Sequence, residues 1–148
     1  MKRTDILLVL ASVLILLFLY TAVAKLVDMA EFKRQLAGQE LPRWSKSTLL
    51  WLIPGSEILV SLLLSLSSTR LLGFYGSALL MALFTGYMGM VVFGFFDRVP
   101  CSCGGVLRSM SFEVHLLFNV FFLVLSLVGI YLFHSQKPIA VTFKKAKK

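Results

Sequence analysis

The chain has 148 residues, 58% of them hydrophobic and 15% charged, with a formal net charge of +8. An average soluble domain carries roughly 25% charged residues, so this composition excludes an ordinary soluble globular protein. It also argues against nucleic acid as a partner, because the positive charges lie between apolar runs and in a short tail, where they act as topology and headgroup signals.

An apolar run of about 18 or more residues is long enough to cross the hydrocarbon core of a bilayer. Residues 6–27, 49–66, 71–96 and 112–133 meet that condition. They predict an all-α, polytopic membrane four-helix bundle, a single domain over 1–148 with a basic C-terminal tail at 137–148. The first run follows Met1, Lys2 and Arg3 and passes Ala22-Val23-Ala24, which resembles a signal peptide with a small-residue cleavage site. It continues through Leu26 and Val27, however, and outruns an h-region of about 7–15 residues, so a retained helix is expected.

Charged groups inside a span ask for partners. Lys25 lies near the outer end of the first helix, from which its amine can snorkel to the surface. Glu57 lies deeper in the second helix. Because the first helix exits and the second enters on one face, Lys25 and Glu57 can also meet, as a structural ion pair.

Met29, Phe32 and Leu36 in the first loop follow i, i+3, i+7 spacing, which predicts a short amphipathic helix at the interface. Gly38 would end it, and Pro42, Trp44 and Trp51 would anchor the chain's return at headgroup depth. A cap over the bundle and a solvated connector are both compatible with this pattern. The second span is expected to open near Trp51, with a kink at Pro54-Gly55 one turn in. In the third, Ala78, Ala82 and Gly86, with Gly89 nearby, form a small-residue ladder expected to pack inside the bundle.

On the fourth span His115 and Asn119 are i, i+4 and share a face, with Phe112 and Phe122 on or beside it. Three roles stay open for this histidine. It can be a satisfied interfacial residue bonded to Asn119 or a backbone carbonyl, a proton acceptor for a thiol, or a donor to a quinone carbonyl.

The chain's two cysteines stand one residue apart in Pro100-Cys101-Ser102-Cys103-Gly104-Gly105, between the third and fourth spans. Thiolates form more readily near cations and helix N-termini. Asp97, Arg98 and Arg108 set the charge of this loop, and Ser109 or Ser111 can cap the following helix, with Glu113 in its first turn. A disulfide spanning one residue closes a small strained ring, and strained disulfides are the labile, oxidising kind. A redox-active pair, a metal site completed by Asp97 or His115, and inert loop thiols are the competing readings. Metal is disfavoured because two sulfurs need further ligands and the chain has no second Cys or His cluster, although soft Cu(I) handling stays open.

Four spans put both termini on one face. That face carries Lys2, Arg3, Arg70, Lys137, Lys144, Lys145, Lys147 and Lys148, against Lys33, Arg34, Arg43, Lys46, Arg98 and Arg108 on the other. An excess of eight cations over six puts the termini in the cytoplasm and the cysteine loop outside. For a bacterial inner membrane, outside is the periplasm, where a disulfide persists.

The four spans, the Lys in Ala24-Lys25-Leu26-Val27-Asp28 and the Pro54-to-Glu57 segment resemble the DoxX-like superfamily. Asp97 to Gly105, reading Asp-x-x-Pro-Cys-x-Cys-Gly-Gly, followed by a helix bearing His115 and Asn119, is similar to the MauE branch of that family. Members often have an aromatic residue after the second cysteine, where this chain has Gly104. The resemblance implies an accessory membrane protein of methylamine utilisation that helps the methylamine dehydrogenase light subunit acquire its disulfides. A periplasmic thioredoxin-like protein or an exported cysteine-containing substrate is the implied partner. The resulting expectation is a membrane thiol–disulfide oxidoreductase using Cys101 and Cys103. Its catalytic support would come from His115; no cofactor follows with certainty, and a quinone held by His115 and Asn119 is the candidate. A non-catalytic scaffold or a subunit of a quinone-linked redox complex is the alternative.

Overall fold

The computed structural model describes residues 3–39, 42–95 and 111–135. They form five helices: α1 (Arg3–Val27), α2 (Met29–Ala37), α3 (Arg43–Ser65), α4 (Arg70–Val92) and α5 (Phe112–Ser135). Four are long and apolar enough to cross a bilayer, namely Arg3–Val27, Trp44–Ser65, Arg70–Val92 and Phe112–Ser135. The protein is an all-helical, multi-pass membrane bundle.

Consecutive spans run antiparallel. α1 packs along α3 and α4 along α5, while α3–α4 and α1–α5 contacts close the bundle. Leu7, Leu14, Phe18, Leu64, Phe74 and Met81 form its core. The outer surface is equally apolar: Leu16, Leu72, Leu79, Leu83 and Leu117 are all exposed. Helices that are hydrophobic all round belong in lipid, which solvates these side chains as well as a protein core would.

α2 forms from Asp28 onward, where the Asp28 carboxylate accepts the Glu31 N–H at 3.1 Å as an N-cap. It ends at Gly38, whose N–H donates to the Arg34 and Gln35 carbonyls, each at 3.2 Å. Its apolar face buries Phe32 and Leu36 and touches both α1 and α3. This first-loop helix packs its apolar face on α1 and α3 and is not a solvated connector.

Three sequence expectations change. The second span opens at Arg43, well before Trp51, because the polar stretch after Pro42 is already helical: Ser45 Oγ donates to the Pro42 carbonyl at 2.8 Å. Pro54 is therefore about three turns into α3, which continues through it. The third span ends at Val92, four residues early, and Gly94 turns the chain away at φ 72°.

The small-residue ladder of α4 also points elsewhere. Ala82 and Gly86 are exposed, and a Cβ on Gly86 or Gly89 would meet nothing within 4 Å. Close approach instead uses Gly73 and Gly76, where a Cβ would fall 2.7 Å from the Leu64 backbone nitrogen and 2.9 Å from Val60 Cγ2. α4 is apolar on every side, so composition alone leaves its rotation about its own axis undetermined.

Candidate functional site

Lys25, Thr21, Glu57, His115 and Asn119 are buried toward the end of the bundle where α1 and α4 finish and α5 begins, whereas the buried Ser77 and Ser126 lie further from it. Lys25, in the last turn of α1, turns inward and is only 4% exposed. Its Nζ donates to Glu57 Oε1 at 2.8 Å, to Glu57 Oε2 at 3.1 Å and to the Thr21 carbonyl at 3.2 Å. The amine therefore does not snorkel to the surface. Glu57 is 1% exposed, and one turn further along α3 Ser61 Oγ donates to its backbone carbonyl at 2.9 Å. A bidentate contact with a second acceptor nearly saturates the ammonium's three donors, which is the condition for keeping an ion pair out of water.

α5 opens at Ser111, whose Oγ accepts the Val114 N–H at 3.4 Å and whose carbonyl accepts the His115 N–H at 2.9 Å. Glu113 stands in the first turn, where a negative charge suits the helix dipole. The buried stripe of α5 is His115, Asn119, Phe122, Ser126 and Gly129. It faces the stripe Phe74, Ser77, Met81 and Met88 of α4.

Two contacts set the register between these stripes. Ser77 Oγ donates to Ser126 Oγ at 2.8 Å, and the Phe74 ring fills the space that a Cβ on Gly129 would need. Continuing this antiparallel register outward brings Met81 level with Phe122, Thr85 with Asn119 and Met88 with His115. His115 is 2% and Asn119 4% exposed. Asn119 Nδ2 and Thr85 Oγ1 are buried without a hydrogen-bond partner among the described residues. Such an orphaned group costs about 1–3 kcal/mol, so these two donors are open to an acceptor such as water or a ligand carbonyl.

The cluster thus draws Lys25 from α1, Glu57 from α3, and His115 and Asn119 from α5. Ser77 and Ser126 were not singled out from the sequence. The signal was there, in two serines at matching depth on consecutive antiparallel spans. At the far end of the bundle Arg3 donates to Ser135 Oγ at 2.9 Å, and the Tyr75 hydroxyl meets His134 Nε2 at 2.9 Å.

Cys101, Cys103, Asp97, Arg98 and Arg108 lie outside the described residues, as do Ser109 and the tail from 136. The described residues on either side of the cysteine segment are Phe95 and Ser111. Beside them Val91, Val92, Ser111, Phe112 and Glu113 line an opening of about 360 Å³. Among the described residues, no three of His, Cys, Asp and Glu come together as a metal site.

Comparison with known families places this architecture. The family described as "Methylamine utilisation protein MauE" matches residues 3–132. The chain belongs to the MauE family. The match takes in the first three spans, the cysteine segment and all but the last three residues of the fourth span, so the MauE assignment covers the polar cluster and the thiols together. No curated protein and no solved structure matches the chain.

Proposed function

We propose that this MauE-family protein is a membrane thiol–disulfide oxidoreductase whose Cys101–Cys103 pair supports the disulfide maturation of an exported partner. The observation that carries the reading is that the chain's two cysteines fall in the sequence between α4 and α5, and that the start of α5 carries the buried His115 and Asn119. The family description supports a connection with methylamine utilisation. The charge balance of the connecting segments supports cytoplasmic termini and a periplasmic cysteine segment in a bacterial inner membrane.

In the oxidising direction, a partner thiolate attacks one sulfur of the Cys101–Cys103 disulfide. A mixed disulfide forms, and the other sulfur leaves as thiolate. The partner's second thiolate then attacks the mixed disulfide, closing the partner's own bond and leaving Cys101 and Cys103 reduced. Two electrons and two protons pass to the pair. When the pair is reoxidised its two thiols give up those protons, and His115, in the first turn of α5, is the group suited to take one of them. Lys25 and Glu57 act as an internal clamp holding α1 to α3.

Reoxidation needs a two-electron acceptor, met by a thioredoxin-like partner in its disulfide form or by a quinone. His115 and Asn119, whose Nδ2 has no partner among the described residues, are the residues that would hold a quinone carbonyl, and a quinone would supply the sink for two electrons and two protons.

The test is trapping. With either Cys101→Ser or Cys103→Ser, the remaining cysteine can be attacked but not resolved, so a mixed disulfide with an exported protein should accumulate on non-reducing gels. If neither variant traps a partner and partner maturation continues in both, the thiol mechanism is wrong.

A further inference from the structure

A second feature, independent of the thiols, lies where α2 folds against the start of α3. Lys33, Leu36 and Ala37 of α2 and Lys46, Ser47 and Leu50 of α3 enclose a groove of about 210 Å³. Leu36 is buried and Leu50 half-buried, which makes the floor apolar. Both cations are part of its lining. Lys46 Nζ donates to the Ala37 carbonyl at 2.8 Å, at the C-terminal end of α2, and an ammonium retains further donors for a second acceptor. Ser47 adds an exposed hydroxyl.

Among the described residues, no acidic side chain lines the groove. The nearest carboxylate along α2, Glu31, is engaged by Gln35 Nε2 at 2.9 Å and by Arg34. The groove therefore presents positive charge over an apolar floor. Its depth in the bilayer is marked by Trp44, 78% exposed in the first turn of α3, and by Trp51, 65% exposed two turns further on, indole rings being favoured near lipid headgroups.

We propose that this groove binds the headgroup of an anionic phospholipid. The phosphate would sit against Lys33, Lys46 and the Ser47 hydroxyl, and the first part of an acyl chain would cover Leu36 and Leu50. Charge complementarity selects this occupant: a zwitterionic lipid brings its own cation to a place that already holds two. Bound there, the lipid bridges α2 to α3.

The experiment uses the full chain in nanodiscs of equal phosphatidylglycerol and phosphatidylcholine, released for native mass spectrometry. Phosphatidylglycerol should be retained over phosphatidylcholine by about tenfold. A lysine near an anionic surface is worth roughly a fivefold gain in binding. Lys33→Gln, at an exposed side chain that leaves the fold alone, should therefore lower the preference by about fivefold. Lys33→Gln with Lys46→Gln should abolish it, while Arg34→Gln, outside the groove, should leave it intact. Equal retention of both lipids by the unmodified chain would overturn the proposal, as would an unchanged preference in the Lys33→Gln variant. Binding of millimolar inorganic phosphate in pure phosphatidylcholine discs, with no preference among lipids, would also overturn it, because the ligand would then be free phosphate.

Discussion

Lys25 Nζ lies 2.8 Å from one carboxylate oxygen of Glu57 and 3.1 Å from the other, with both side chains withdrawn from the surface of the bundle. Each charge is stabilised chiefly by the other, with the Thr21 carbonyl as the ammonium's further acceptor. The pair therefore links α1 to α3 more strictly than apolar packing does, because each partner becomes costly once the other is removed.

Lys25→Met should destabilise the protein by about 3–5 kcal/mol, since it strands a buried carboxylate. Adding Glu57→Gln should return most of that loss, because the uncompensated charge is gone. Unfolding of both single variants and the double variant in detergent checks this. Simple additivity of the two substitutions would mean that the contact carries no coupling.

The α3–α4 seam predicts a contrast between glycines. Gly73→Ala puts a methyl group 2.7 Å from the backbone of Leu64, which cannot move aside cheaply, and should cost about 1–3 kcal/mol. Gly86→Ala meets nothing within 4 Å and should be neutral or slightly stabilising, as expected when glycine leaves an open helix position. Thermal unfolding of the two variants side by side is sufficient to see it.

That contrast also shows what the sequence can convey. Hydropathy reveals the four spans because each exceeds the bilayer length, and the Met29–Leu36 periodicity reveals α2 because one face must be apolar and the other wet. Lys25 and Glu57 stand out because a charge in a span is rare. The start of α3 was hidden, since Arg43, Ser45, Lys46 and Ser47 look like loop residues although they form helix at headgroup depth. The facing of α4 was hidden for the opposite reason. With apolar residues all round, nothing in its pattern separates the Gly73–Gly76 face from the Ala82–Gly86 face.

Asn119→Leu separates a structural from a chemical role for the buried amide. Its Nδ2 has no partner among the described residues, so replacing it with an apolar side chain of similar size should leave stability unchanged or raise it by about 1 kcal/mol. Reoxidation of Cys101 and Cys103 should slow in the same variant if the amide holds an electron acceptor. A loss of stability above about 2 kcal/mol would instead show that the amide has a structural partner.

Ser126→Ala removes one side of the Ser77–Ser126 hydrogen bond that sets the α4–α5 register. Hydrogen bonds between membrane helices average about 0.6 kcal/mol, so the loss should be small, and Ser77→Ala should add little to it. A double-mutant cycle measures the coupling directly.

The central claim is that Cys101 and Cys103 form an exposed, exchangeable disulfide on the outer face of the membrane. Labelling intact cells with a membrane-impermeant, mass-shifting thiol reagent before and after mild reduction tests it most directly. The account predicts that both cysteines are labelled after reduction and not before. Labelling only after the cells are permeabilised would place the thiols on the cytoplasmic side and contradict the mechanism.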